Sequence, residues 1–161
     1  MALRKPLVIV SGQIQQLQAA DTLDAVQSGG DAVTQTNDEV GAIVIGTPVY
    51  NDANNGVKKA KADAAGTSGV IGLVRDTSIS AAATGAIQVG GVLTATTGQW
   101  DTAFGTTGGL TRGVRYFLSA ATAGLGTATA PSTTGQYVVY LGIALSTTDL
   151  LLAENAGPVL L

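Results

Sequence analysis

Short apolar segments separated by turn residues make up most of the chain from about residue 38 to residue 156. Turn residues at such short spacing are typical of a β-sandwich or a β-barrel, because each turn limits the strand before it to a few residues. We therefore predict an all-β fold, with a small sandwich or barrel-like β-domain over residues 37–161. The candidate strands are residues 40–45, 48–51, 57–62, 70–75, 85–89, 92–96, 114–119, 127–130, 136–145 and 149–153.

The segment 57–62 fits either a strand or a short helix of two turns. Glycines lie near both of its ends, which favours the strand. Just before it, Asn54, Asn55 and Gly56 tolerate positive φ angles and predict a tight reversal between Tyr50 and Lys58.

Residues 136–145 form the longest candidate strand. Side chains alternate between the two faces of a strand. The alternation therefore predicts one shared face for Tyr137, Val139, Leu141, Ile143 and Leu145.

Two parts of the β-domain resemble each other in outline. Residues 49–50, Gly56 and residues 69–73 have counterparts in residues 115–117, Gly124 and residues 140–143, and each copy continues into a polar turn with threonine. The correspondence suggests two related β-meanders that close on one core.

Residues 1–36 differ from the rest and are predicted to be an extended N-terminal arm with a linker. Leu7, Val8, Ile9 and Val10 form a compact apolar run, and a Ser-Gly turn separates it from the mostly polar residues 13–18. This pattern favours a β-hairpin. The alternative is a helix over residues 13–26, with its apolar side interrupted by two aspartates.

The arm has few large apolar residues and cannot build a core of its own. Residues 28–30 and 34–37 have the glycine, serine, threonine and asparagine content of a linker. We expect the arm to lie on the β-domain or to dock on another chain. The candidate binding residues are Leu7, Val8, Ile9, Val10, Ile14 and Leu17.

The composition excludes several kinds of active site. The chain has no histidine and no cysteine, which removes Ser-His-Asp and Cys-His nucleophile systems, zinc fingers, haem and iron–sulfur ligation, and disulfides. Eight basic residues spread along an acidic chain of net charge −3 do not provide the clustered cations that nucleic acids require. No apolar run approaches the roughly 20 residues of a membrane span.

The remaining motifs offer little chemistry. Residues 51–56 resemble the start of a calcium loop, but Ala53 and Ala62 stand at two ligand positions, so a hairpin turn is favoured. No spacing places two carboxylates across a cleft, and the glycine pairs lack the context of a phosphate-binding loop. We therefore predict no catalytic residue, no cofactor, no metal and no enzymatic activity.

Charge is scarce over a long part of the chain. Between Thr77 and Thr148 the charged residues are Asp101, Arg112 and Arg115. A surface this neutral favours packing against copies of the same chain, with a trimer contact over residues 85–150. The alternative is a monomeric domain that threonine and serine hydroxyls keep in solution.

Two stretches resemble proteins of tailed-bacteriophage virions. Residues 4–17 (RKPLVIVSGQIQQL) resemble an N-terminal segment found on many virion proteins, including fibre-like ones. Residues 110–119 (LTRGVRYFLS), 130–131 and 135–146 (GQYVVYLGIALS) resemble a β-module that recurs in head-decoration and fibre proteins.

This resemblance implies an all-β domain, commonly trimeric, that binds the capsid exterior through its N-terminal segment. The chain has no long shaft, which favours a head-decoration protein that cements the capsid. Its expected partners are the major capsid protein and two further copies of itself. Its expected location is the capsid surface of the virion, after synthesis in the host cytoplasm. The alternative is a tail- or head-fibre module that binds a host receptor or glycan.

Overall fold

The structure is a computed structural model that describes residues 7–10, 13–16, 32–52, 56–153 and 157–161. The fold is all-β as predicted, with two short helices among the described residues. The strands are β1 (Leu7–Val10), β2 (Gln13–Gln16), β3 (Ala32–Asn37), β4 (Ile43–Val44), β5 (Pro48–Asn51), β6 (Gly56–Lys59), β7 (Val70–Val74), β8 (Ser78–Ile79), β9 (Thr84–Gln88), β10 (Val92–Thr94), β11 (Arg115–Leu118), β12 (Gly126–Thr127), β13 (Tyr137–Val138), β14 (Tyr140–Ala144), β15 (Asp149–Leu152) and β16 (Val159–Leu160). The helices are α1 (Ala65–Ser68) and α2 (Thr97–Phe104).

The first half of the β-domain, residues 32–89, is called unit 1 and forms a closed barrel. Its five strands follow the order β3-β6-β5-β7-β9, and the barrel closes because the last strand, β9, pairs with the first, β3. All pairs are antiparallel except β3 with β6, which is parallel. The strand predicted at 48–51 is confirmed, and 57–62 contains a strand and not a helix.

The predicted linker at residues 34–37 is wrong, because these residues belong to β3. This strand pairs with β9 from Ala32 to Thr36 and ends at the fully buried Asn37. Its first three side chains are exposed, so the segment shows no alternation of apolar and polar residues that would indicate a strand. The last residues of the predicted arm therefore belong to the barrel.

The second half, residues 92–153, is called unit 2 and forms an open antiparallel sheet. Its strand order is β10-β15-β14-β11-β12. Unit 1 has the same order, β3-β9-β7-β5-β6, with its strands in the same sequence along the chain. The β5–β7 pair has a register shift after Val49, and the β11–β14 pair has one after Tyr116.

Backbone details support the internal repeat. Gly46 and Gly113 both adopt left-handed φ angles, +81° and +79°, just before β5 and β11. The Gly46 N–H donates to the carbonyl of Val74 at 2.9 Å, and the Gly113 N–H donates to that of Ala144 at 2.8 Å. The repeat predicted from the sequence is therefore confirmed for the strands, but the predicted match of Gly56 with Gly124 is wrong, because the register aligns Val57 with Gly126.

A glycine also stands at the same place in the central strand of each unit. A Cβ on Gly72 would collide with the carbonyl oxygen of Gln88, and a Cβ on Gly142 would collide with that of Leu151. Both carbonyls belong to the adjacent strand. Glycine is required here because the backbones approach too closely for a side chain.

Helix α2 distinguishes the two units, and the sequence analysis missed it. It follows the edge strand β10 and packs on the opposite edge strand β12, where a Cβ on Gly126 would collide with the Phe104 ring. A capping box between Thr96 and Gln99 starts the helix, and Gly105 in the left-handed region ends it. Unit 2 is therefore completed by a helix and not by strand pairing.

The repeat does not close on one core as predicted. One hydrophobic cluster fills the unit 1 barrel, from residues such as Val49, Val74 and Ile87. A second, larger cluster contains the inner face of unit 2, helix α2 and part of the outer surface of unit 1, including Leu73. This larger cluster joins the two units.

Several strand predictions extend too far, including 57–62, where the strand ends at Lys59, and 127–130, where it ends at Thr127. Only β4 forms within residues 40–45, and Val40 lies in an exposed turn. Residues 136–145 break at Val139 into β13 and β14. The predicted shared face is consequently wrong, because Val139 and Leu141 are buried while Leu145 is 44% exposed.

Candidate interaction surfaces

The predicted N-terminal hairpin is present in the structure. Strands β1 and β2 pair antiparallel, with Ile9 opposite Ile14 and Val8 opposite Gln15. This pairing excludes a helix that starts at residue 13. Of the candidate arm residues, Leu7 to Val10 lie on β1 and Ile14 lies on β2, while Leu17 falls outside the described residues.

Within the described part of the chain, β1 and β2 form a sheet of only two strands. Each strand therefore has one edge on which no described strand pairs. An isolated two-stranded hairpin is at best marginally stable in water, and a partner strand stabilises it. An edge suited to strand addition therefore remains on each strand of the hairpin.

A second surface is the outer side of the unit 2 sheet, which we call the unit 2 face. Its residues are Val92, Phe117, Tyr140, Ile143 and Leu151. Register places Ile143 beside Leu151 and Leu151 beside Val92, in one row across three strands. Leu151 is 39% exposed and Val92 is 36% exposed, and the Phe117 and Tyr140 rings contact each other with centroids 5.8 Å apart.

The acidic residue Asp101 holds a loop. Its carboxylate accepts hydrogen bonds from the backbone N–H groups of Gly109 and Gly108 and from the Thr106 hydroxyl. The bonds from Gly109 and Thr106 hold the pKa of Asp101 below its usual value. These donors fix the glycine-rich segment that follows α2, so the carboxylate has a structural role.

Asp149 is used in the same way in the β14–β15 turn, which lies beside the Asp101 loop because the Leu110 N–H donates to the Thr147 carbonyl. Its carboxylate accepts hydrogen bonds of 2.6 Å from the hydroxyls of Ser146 and Thr94. The bonds from Ser146 and Thr94 lower the pKa of Asp149. They connect the β14–β15 turn to strand β10.

The lysines near β6 do not form an open basic patch. Lys58 lies 2.6 Å from an Asp52 carboxylate oxygen, and Lys61 lies 2.7 Å from an oxygen of Asp63. The Asp52 contact raises the pKa of Lys58, and the Lys61 contact lowers that of Asp63. Such exposed pairs contribute little to stability but reduce the local positive charge.

A cavity of about 350 Å³ lies between β4 and the start of α2. No charged side chain lines it among the described residues. The side-chain Oε1 of Gln99 accepts from the Thr96 backbone N–H at 2.8 Å, and the Thr96 hydroxyl accepts from the Gln99 backbone N–H at 3.3 Å. The cavity offers no acid–base pair.

Residues 32–52 and 56–153, together with the shorter described segments, contain no group of three or more acidic residues placed to hold a metal ion. In the same part of the chain, no helix has the length and apolar composition of a membrane span. The chain matches no protein-family model, and comparisons with curated proteins and with solved structures find no match either.

Proposed function

We propose that this protein is a non-enzymatic structural component of a tailed-phage virion, which decorates or cements the capsid exterior. The observation that carries the proposal is the N-terminal hairpin, which offers strand edges on a segment that precedes the barrel. The phage-like sequence of residues 4–17 covers this same hairpin.

The proposed mechanism is strand addition. A strand of the major capsid protein would pair with the free edge of β1 or β2, and its side chains would cover the apolar residues. Burial of Leu7, Val8, Ile9 and Val10 at roughly 1.5–3 kcal/mol each gives a gross gain of roughly 6–12 kcal/mol. Ordering the arm on the capsid reduces this gain.

A protein that binds the assembled capsid better than its free subunits stabilises the assembled state by linkage. No catalytic step is required for this role. The arrangement of acids supports it, since Asp101 and Asp149 bind loops of their own unit. We accordingly expect no release of reducing sugar from peptidoglycan or polysaccharide by the purified protein.

Paired charge substitutions in the full chain test the arm. Ile9→Asp with Ile14→Asp places two acids at positions that face each other across the hairpin. The control is Gln13→Asp with Gln15→Asp, which adds two acids to the same hairpin at polar positions of β2. We expect the first pair to abolish attachment to capsids that lack the protein and the control to retain it.

Equal attachment of both variants would overturn the proposed role of the arm.

The number of copies on the purified particle tests which part of the virion the protein belongs to. Decoration predicts on the order of hundreds of copies, because it follows the symmetry of the shell. A few dozen copies or fewer would indicate a fibre.

A further inference from the structure

The part of the outer surface of unit 1 formed by β5, β7 and β9 is covered by the rest of the chain. Leu73 on β7 is 1% exposed and belongs to the cluster that joins the two units, and Tyr50 and Val70 pack against that cluster. Gln88, which lies beside Leu73 in the β7–β9 register, is also 1% exposed. Its side-chain amide donates to the backbone carbonyls of Gly90, in the segment that connects the units, and of Val92 on β10.

The repeat identifies the equivalent surface of unit 2. Strand order, the two register shifts and the paired glycines align β5, β7 and β9 with β11, β14 and β15. The equivalent pairs are Tyr50 and Phe117, Val70 and Tyr140, Leu73 and Ile143, and Gln88 and Leu151. The surface that unit 1 buries therefore corresponds to the unit 2 face.

The unit 2 face is less buried than its counterpart, because Val92 and Leu151 are exposed and Phe117, Tyr140 and Ile143 are half-buried, and it is also more apolar. Gln88 is replaced by Leu151, and Ile143 stands where the buried Leu73 stands in unit 1. Contiguous apolar surface of this kind marks an interaction site on a soluble protein.

The charge distribution indicates what covers the face. Unit 2, residues 92–153, contains Asp101, Arg112, Arg115 and Asp149, a net charge of 0, so the rest of the chain carries the whole net charge of −3. Two copies that meet through unit 2 bring their least charged surfaces together and keep their acidic parts apart. The strands of the face carry two charged residues, Arg115, which pairs with Ile143, and Asp149, which pairs with Thr94, so an approaching copy meets one charge of each sign.

We propose that the unit 2 face is the surface through which this chain binds a second copy of itself. Five strands at about 4.8 Å spacing and four residues at about 3.4 Å give a face of about 24 by 14 Å. The projected area of about 340 Å² is less than the roughly 800 Å² per partner of a stable interface. The neutral loops around the sheet therefore belong to the contact as well.

This proposal gives the proposed structural role its self-association surface, but it does not depend on capsid attachment. The test therefore uses the free full-length protein. Light scattering after size exclusion at micromolar concentration is expected to show an oligomer for the unsubstituted chain. Ile143→Asp and Leu151→Asp should each weaken self-association at least tenfold and give monomers.

The matched control is Val40→Asp, which adds the same charge at a fully exposed turn of unit 1 and should leave the oligomer intact. A monomeric unsubstituted chain would overturn the proposal. Face variants that keep the oligomeric mass would overturn it as well.

A second measurement, the alkylation rate of an introduced thiol, does not require the folded sheet to accept an aspartate. The chain has no cysteine, so Leu151→Cys and Val40→Cys each introduce one thiol. Alkylation of the thiol at position 151 should slow several-fold as protein concentration rises, while the rate at position 40 stays constant. Concentration-independent rates at both positions would contradict the proposal.

Discussion

Deletion of residues 1–30 is expected to leave the β-domain folded. Strand β3 begins at Ala32, so the cut removes the hairpin but none of the barrel. Deletion of residues 1–37 is the contrasting change, because it also removes β3 and its pairing with β9 and β6.

The loss of β3 is large enough to unfold the domain. Asn37 alone makes five hydrogen bonds, including those from its side-chain amide to the carbonyls of Gly41 and Ile79 at 2.9 Å. At roughly 0.5–1.5 kcal/mol each, these amount to roughly 3–7 kcal/mol. A domain of this size has a free energy of unfolding of only about 5–15 kcal/mol.

Thermal unfolding followed by far-ultraviolet circular dichroism distinguishes the two deletions. The shorter deletion should unfold within a few degrees of the intact chain and fail to attach to capsids. The longer deletion should show no cooperative transition. If the shorter deletion does not fold, the hairpin is part of the domain's own sheet and the docking argument fails. Full attachment by the shorter deletion would refute the arm hypothesis.

Three further predictions concern the stability of unit 2. Gly142→Ala should cost about 1–3 kcal/mol in urea unfolding, because its Cβ would meet the Leu151 carbonyl, whereas Gly90→Ala, which meets no atom within 4 Å, should cost much less. The pKa of Asp149 is lowered in the folded state, so its contribution to the free energy of unfolding is present above the unfolded pKa of about 3.9 and is lost as pH falls through the folded pKa. Asp149→Asn should therefore flatten the dependence of the melting temperature on pH in acid. Trp100→Ala removes a fully buried ring, and an expected loss of about 3–5 kcal/mol would lower the melting temperature by about 6–20 °C. Equal losses of unfolding free energy for the two glycine variants would contradict the close approach at Gly142. An unchanged pH dependence for Asp149→Asn would contradict the role of its hydrogen bonds. A loss below about 1 kcal/mol for Trp100→Ala would contradict its place in the core.

The sequence predicted the β-rich fold because turn residues delimit strands locally. The run of residues 48–51 is bounded by turn residues, and its strand has the predicted ends. Helix α2 was predictable in principle, since Thr96 and Gln99 form the spacing of a capping box. The threonines and glycines near residue 97 favoured a strand followed by a turn. The buried Trp100 stabilises the helix through tertiary packing, which the local sequence does not show.

Strand β3 could not be predicted from its own residues. Its side chains are exposed or half-buried except at the buried Asn37. The side-chain amide of Asn37 donates to the carbonyl of Ile79, which is distant in sequence. The unit 2 face also required the structure, because the register shift between β11 and β14 leaves Leu141 as an extra residue and puts Tyr140 and Ile143 on the same side. Alternation alone placed Ile143 with the buried Leu141, although only Leu141 belongs to the core.

The oligomer size follows from how the unit 2 face is used. If the faces of two copies met directly, the contact would be two-fold symmetric and the assembly would stop at a dimer of about 32 kDa, twice the chain mass of 16.0 kDa. In a ring of three, each face must meet a different surface of its neighbour, which gives about 48 kDa. The repeat favours the second arrangement, because the equivalent surface of unit 1 is covered by unit 2 and not by another copy of itself. Light scattering should therefore give more than the mass of a dimer, and the trimer predicted from the sequence would appear at about 48 kDa. A mass of about 32 kDa at all concentrations would show that the contact is symmetric.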